Sequence, residues 1–340
     1  MLWLDTLRNA TSATALLQLH GDMAAHLHQA EQSASAVNFN DVIQHMVVRT
    51  LLPQLVSGLS EQDTRVIHAD QQNKLAYLLD PEPKPQTWRQ RLSMMRHSMR
   101  TASVFRKHIK LRARGKLPSQ ADLLDASVRL LDRLGMDRAV DAMVTVHTAV
   151  NGPPGAALSC LAFELSRQPV WAEKIREELR PLPLAEFCQA PMKRAPLLYA
   201  FVREVLRMWN VPVVARTART DMSIAGQEIL QDSAIIMSPY FIHRNPRYWH
   251  DPDLFRPERW LEEKETQPGS YVPFGWAPKG CIGSQLGLCQ MMLLSHLLSC
   301  RYRLQLPADA APYVVMTALP TPVGFCGRVL ADKRGNTDEI

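Results

Sequence analysis

The segment that most restricts the fold is YVPFGWAPKGCIGSQLGLCQMMLLSHLL, from Tyr271 to Leu298. Its first half is broken by Pro273, Pro278 and several glycines, so it reads as a loop, because proline lacks an amide donor and glycine leaves the backbone free. Its second half is apolar at helical spacing. The chain is therefore committed to a loop that delivers Cys281 to the start of a helix. A thiol at a helix N-terminus is stabilised as thiolate by the helix dipole and by unpaired backbone amides, here around Ile282 and Gly283. On its own, a cysteine between glycines is usually a buried packing residue.

Upstream, the pattern is helical. From Leu2 to about Leu79 apolar residues recur at helical spacing, as in Val42, Ile43, Met46, Val47 and Leu51, which predicts several packed helices. The run DPEPKPQ, Asp80 to Gln86, is a loop. Between Arg89 and Lys116 stand ten Lys or Arg residues and no acid, interleaved with Leu92, Met95, Met99, Phe105 and Ile109. Such a basic amphipathic helix suits a membrane surface or an acidic partner, and more commonly is a solvated helix face. A further helical region runs from about Asp122 to Arg167, interrupted by NGPPG at Asn151 to Gly155, and a charged helix follows from Val170 to Arg180. After Met208 the segments VPVVARTA, MSIAGQEI and SAIIMSPY are short and β-branched and read as small strands. The expected fold is mainly α with small β-sheets, in a single domain over residues 1–340.

Two further motifs give the cysteine loop a context. FVREVLRMW places Glu204 and Arg207 three apart, on one helical face, and HRNPRYWHDPDLFRPERW, from His243 to Trp260, ends on Arg259 in P-E-R-W. An E-x-x-R pair alone is an ordinary helix salt bridge. In this order, followed by Phe274, Lys279, Cys281 and Gly283 in the frame F-x-x-G-x-R-x-C-x-G, the motifs resemble those of the cytochrome P450 family of haem-thiolate monooxygenases. The resemblance covers nearly the whole chain and is most specific from Glu204 to Leu298.

The resemblance implies haem b (iron protoporphyrin IX) with Cys281 as axial ligand, since an anionic sulfur pushes electron density onto the iron and favours O–O cleavage. It implies that Glu204, Arg207 and Arg259 form an ion network under the haem. Lys279, Arg216 in VPVVARTA and, less directly, His243 fall where propionates are met, although a structural histidine serves that last position as well. It further implies insertion of one oxygen atom from O2 into a small organic substrate, with electrons from a separate ferredoxin or flavoprotein, since the chain carries no dinucleotide or flavin fingerprint.

Several positions depart from the family. Ala277 replaces a glycine, and Lys279 replaces an arginine, keeping the charge without the bidentate fork. Counting back from Gln168-Pro169, the distal helix motif A-G-x-(Asp/Glu)-Thr falls on Ala149, Val150, Asn151, Gly152 and Pro153, so neither acid nor alcohol is present to pass a proton to the distal side. Asn151, Thr148 or His147 could hold a water instead, or a substrate hydroxyl could supply the proton. Pro153 and Pro154 predict a kink in that helix. Roughly 60–80 residues of a β-rich start, including substrate-facing segments, are expected to be missing relative to the family, judged from where the motifs fall. These departures keep two alternatives open: a haem-thiolate isomerase or dehydratase that does not activate dioxygen, and a non-catalytic, degenerate haem protein.

Composition narrows the setting. A formal charge of +6 is modest for this length and, without an arginine-rich tail or zinc-finger spacing, gives no reason to expect nucleic-acid binding. Six cysteines without C-x-x-C pairs argue against a disulfide scaffold or structural zinc and for a reducing, cytoplasmic setting. No signal peptide or membrane anchor is visible at the start, and membrane association is not indicated.

Overall fold

Polar caps divide the first part of the chain into helices. In a computed structural model that describes residues 2–82, 84–150, 152–262, 266–276 and 279–332, α1 (Leu2–Asn9) is followed by α2 (Ala13–Glu31), capped by Ser12. The short β1 (Val37–Asn38) leads into α3 (Phe39–Leu55), capped by Asn38, and Ser60 caps α4 (Glu61–Leu78). Each cap side chain accepts from an amide that the first turn leaves unpaired. The proline-rich stretch after α4 is a loop, and a Thr87–Gln90 capping box then starts the long basic helix α5 (Trp88–Ala113).

The region expected to be helical from Asp122 to Arg167 is three helices. These are α6 (Leu123–Arg129), α7 (Leu131–Ala149) and α8 (Gly152–Arg167). The charged helix is α9 (Pro169–Leu179), and α10 (Leu184–Gln189), α11 (Pro191–Arg194) and α12 (Pro196–Met208) complete the series before the strands begin.

The strand-like segments pair as small antiparallel ribbons. β2 (Val214–Thr217) pairs with β5 (Ala234–Met237), and β3 (Met222–Ile224) with β4 (Gln227–Ile229). The second hairpin turns on Ala225 and Gly226, both at positive φ, as a two-residue hairpin requires. Short α13 (Pro239–Ile242) and α14 (Arg259–Glu262) precede α15 (Ser284–Cys300), the apolar helix that follows the cysteine loop. At the C-terminal end, β6 (Tyr302–Gln305) and β9 (Cys326–Ala331) form a three-stranded sheet with β1, and β7 (Tyr313–Met316) pairs with β8 (Pro320–Val323).

A single cluster of buried apolar side chains extends from Ala10 to Val329, with α8 and α15 contributing heavily through residues such as Leu161, Phe163, Met292 and Leu293. α8 approaches α3 so closely that a Cβ at Gly155 would overlap the Gln44 side chain. The mainly helical, minor-sheet architecture expected from the sequence is thus the observed one.

Candidate haem-thiolate site

Glu204 and Arg207 lie one turn apart on α12, and both side chains are fully buried. Arg207 donates to both carboxylate oxygens, Nε to Oε2 at 2.9 Å and Nη2 to Oε1 at 2.8 Å. The same carboxylate accepts from Arg259 Nε at 3.2 Å, the Trp260 indole at 2.9 Å and the Arg256 amide at 2.8 Å. Two guanidinium groups therefore share one anion. The surplus charge is met by carbonyls: Arg207 donates to those of His243, Pro252 and Leu254, and Arg259 to those of His250 and Asp251. Charge-assisted bonds of this kind fix the loop between α13 and α14 against α12. The sequence motifs locate the three charged members; the roles of Trp260 and the Arg256 amide leave no such trace.

His243 is fully buried at the end of α13. Its Nε2 accepts from the Val272 amide at 2.8 Å, so Nδ1 carries the proton and donates to the Arg207 carbonyl at 3.1 Å. Burial, helped by the charges of Arg207 and Arg244, holds its pKa down to about 4. Both nitrogens are used, and the ring is neutral. His243 is a strut between α12 and the cysteine loop rather than a propionate partner, the structural one of the two readings that the sequence left open.

Beyond Val272 the loop is set by its own backbone. Gly275, at φ +78°, donates to the Val272 carbonyl at 3.1 Å, and the Cys281 amide donates to the Phe274 carbonyl at 2.8 Å. Phe274 packs against the core, in a space that a Cβ on Gly287 would just touch. Gly283 is the N-cap of α15, so Cys281 stands just ahead of the helix, as expected. Ala277 lies outside the described residues. Arg216 reaches from β2 to the Lys279 carbonyl at 3.4 Å, which ties β2 to the loop that carries Lys279 and Cys281.

The other thiols are unlike Cys281. Cys160, Cys188 and Cys289 are buried and Cys300 is half-buried. Burial pushes Cys188 and Cys300 up to about 11 and Cys289 to about 12, and raises Cys160 as well. Cys281 and Cys326 are exposed, but Cys326 sits in β9 opposite Asn38. Cys281 alone combines exposure with a place on a loop just ahead of a helix, and the Arg216 guanidinium reaches the backbone of the same loop, a set of groups that fits a thiolate-ligated haem with its propionates.

The distal motif lies on an interruption between two helices. α7 ends at Ala149, where the Val150 amide still donates to the Val146 carbonyl at 2.9 Å, and α8 starts at Gly152. Pro153 and Pro154 thus occupy the first turn of a new helix, where the missing amides have no intrahelical partner to lose. The expected kink within one helix is instead a break between two. Asn151 lies outside the described residues. Ala149 and Pro153 are exposed, whereas Gly152 is buried, and a Cβ there would meet Leu319 at 3.0 Å and Leu78 at 3.3 Å. Hydrocarbon side chains therefore border Gly152.

Ionisable groups lie one turn upstream instead. Asp70 of α4 is fully buried and accepts from Lys74 Nζ at 2.9 Å and Ser98 Oγ at 3.3 Å, with His147 Nε2 at 3.4 Å. Lys74 also donates to Thr148 Oγ1 at 3.2 Å, and that hydroxyl donates to the Val144 carbonyl at 3.0 Å. Burial opposes the charge on Asp70, but His147 and Lys74 hold its pKa below the usual carboxylate value. Burial lowers His147 against the pull of Asp70. Asp70 and Lys74 belong to a polar helix that the sequence reading did not single out.

An exposed cysteine loop is thus braced, through His243, against an E-x-x-R network in a mainly helical fold. The sequence model of the family described as Cytochrome P450 matches residues 73–322, and the chain belongs to that family. It is 35% identical over 138 residues to a probable cytochrome P450 4d21 of Drosophila melanogaster, a match spanning 38% of this chain and 27% of that protein. Against cytochrome P450 3A5 of Homo sapiens it is 32% identical over 149 residues, 41% of this chain and 28% of that one. These matches span less than a third of either relative's length. Among solved structures, retinoic acid bound cyanobacterial CYP120A1 superposes with a TM-score of 0.79 at 21% identity, covering 97% of this chain and 78% of that one. The cytochrome P450DA heme domain superposes at 0.76, covering 97% and 77%. At these identities the superpositions establish the fold.

Proposed function

We propose that the chain is one haem-thiolate domain that inserts an oxygen atom from O2 into a small organic substrate, using electrons from a separate ferredoxin or flavoprotein. The observation that carries this reading is the exposed Cys281, on a loop pinned through Val272 and His243 to α12, with Arg216 and Lys279 beside it. Haem b bound there would supply an electron-rich iron for dioxygen chemistry. Arg216 offers a planar fork to one propionate and Lys279 a point charge to another. Glu204, Arg207 and Arg259 keep the loop in register and take no part in the chemistry. Lys74 Nζ and Thr148 Oγ1, in contact with each other and, through Lys74, with Asp70 and His147, would hold and pass a proton in place of the acid and alcohol that Gly152 and Pro153 do not supply. The free cysteines favour a reducing compartment such as the cytoplasm.

A second reading is favoured by one observation: Leu319 and Leu78 close the space beside Gly152, as suits an isomerase or dehydratase with no need of distal acid. The two separate by product analysis. A monooxygenase forms no product without a reductase; an isomerase does.

The absorption spectrum of the reduced, carbon monoxide-bound protein tests both at once. The band characteristic of thiolate ligation is expected in the wild type and absent in Cys281→Ala. A wild type that takes up no haem overturns the reading and favours a degenerate, non-catalytic protein, whereas a band that persists in the variant overturns Cys281 as the ligand.

A further inference from the structure

A cavity of about 600 Å³, lined by α3, α4 and the start of the loop after α4, is used neither by the fold nor by the proposed activity. Asp41, His45 and Arg49, four residues apart on one stripe of α3, line one wall. His68, Gln72, Ala76 and Leu79, similarly spaced on α4, line the other. The walls change character along their length. Arg49 and His68 stand nearest the connection between the two helices, His45 and Gln72 come next, and Asp41, Leu75, Leu79 and Asp80 lie towards the far end. The eight-residue interval sets Asp41 about 12 Å from Arg49 along the helix axis. That exceeds a Debye length of about 8 Å, so the basic and acidic ends act largely apart.

The basic end gathers positive charge without an answering anion. Elsewhere His28, His108, His147 and His250 each meet a carboxylate. Among the described residues, no carboxylate stands within ion-pair distance of Arg49, His45, His68 or His26 of α2. These four nevertheless lie within one another's fields. Burial, then Arg49, then His45 lower the pKa of His26, and burial, Arg49, His147 and His45 lower that of His68. Like charges collected from three helices oppose one another, and an anion seated among them would turn that repulsion into attraction.

We propose that this cavity binds a small organic phosphate monoester, with its phosphate at Arg49, His45 and His68 and its organic body along Leu75, Ala76 and Leu79. A guanidinium offers a planar fork to phosphate oxygens, and the imidazoles and the Gln72 amide supply further donors. The hydrocarbon of α4 beyond the cations suits an apolar body better than a bare ion. Asp41 and Asp80 repel a second anionic group at that end, which limits the ligand to one charged head. The volume is that of a small-molecule site. The inference stands apart from the assignment of the haem site.

Calorimetric titration of the full chain with phenyl phosphate tests it. Saturable binding of one equivalent is expected, with inorganic phosphate weaker by about tenfold for want of the apolar contact. Arg49→Gln should lose about tenfold or more in affinity, as suits a charge-assisted bond, and His68→Gln roughly threefold. Neither side chain has a carboxylate partner, so both variants should keep the wild-type circular dichroism spectrum. Arg216→Gln should bind as the wild type does, which separates this cavity from the groups assigned to the propionates. In imidazole proton spectra, saturating phenyl phosphate should move the pKa of His68 and of His26 upwards, towards the ordinary 6.5. No binding by the wild type, full binding by Arg49→Gln, histidine pKa values that phenyl phosphate leaves in place, or a loss of binding in Arg216→Gln overturns the proposal. Inorganic phosphate bound as tightly as phenyl phosphate overturns the ester, since the free ion would then be the ligand.

Discussion

The two sides of the candidate site hold buried charge in different ways. On the cysteine side, one carboxylate, Glu204, is saturated by two arginines, an indole and an amide, and the arginines spend their remaining donors on the carbonyls of a neighbouring loop. On the other side, Asp70 meets one lysine, a serine at 3.3 Å and a histidine at 3.4 Å, drawn from three helices and set beside a helix break. The first arrangement is rigid because every member is over-determined. The second is looser, since its partners come from three helices and two of its contacts are 3.3 Å or longer.

Glu204→Gln is expected to give the largest effect. It leaves Arg207 and Arg259 buried with no anion, and removing one partner of such a pair costs about 3–5 kcal/mol. A fall of that size in stability from urea midpoints is the expected outcome. A loss under about 1 kcal/mol would mean that the carbonyl cradle alone holds the arginines.

Next comes acidification. The folded protein holds His243 at about 4, below its ordinary value of 6.5, so the unfolded chain takes up the proton first as pH falls. Stability from this group is complete above about pH 6.5 and declines towards pH 4, by on the order of 3 kcal/mol. His20 and His296, a buried pair at 3.1 Å held at about 3 and about 4, tilt the curve the same way. Urea midpoints between pH 7 and 4.5 should therefore fall steadily, and His243→Ala should flatten the slope only in part. A flat wild-type curve would show that these rings are solvated.

What could be read from the sequence follows the same division. Glu204, Arg207, Arg259, Phe274, Lys279 and Cys281 sit at fixed spacings because each acts within a helical turn or a short loop, and geometry of that kind is written into residue intervals. For His243 the sequence leaves a propionate partner and a structural histidine both open, since its partners are a carbonyl and an amide that any sequence would supply. The prolines after Asn151 announced a disruption, but a proline inside a helix and one in its first turn look alike until the helix ends are known. Asp70 and Lys74 were hidden in EQDTRVIHADQQNKLAYL, a polar helix whose composition does not say which carboxylate is covered by α5 and α7.

Asp70→Asn sharpens the contrast. It leaves Lys74 with Thr148 and partial access to water, its side chain being 14% exposed, so a loss of about 1–3 kcal/mol is expected, less than at Glu204. If the proposed function holds, the thiolate band should be unchanged while a larger share of the supplied electrons leaves as hydrogen peroxide. A stability loss equal to that of Glu204→Gln, with no change in peroxide release, would make the cluster as structural as the network beneath the cysteine.

The smallest effect is expected at Gly152→Ala. Replacing glycine near the start of a helix restricts the unfolded chain and contributes about 0.4–1 kcal/mol of stability where the backbone permits it. Against that, the new methyl would stand 3.0 Å from Leu319 and 3.3 Å from Leu78. Both contacts are to the ends of flexible leucines on different elements, so each can give by a few tenths of an ångström, at a cost of similar size. The two effects nearly cancel, and a change within about 0.5 kcal/mol is expected from urea midpoints. A loss of 2 kcal/mol or more would show that Leu78 and Leu319 are clamped, and that the distal side is packed as tightly as the side that carries Cys281.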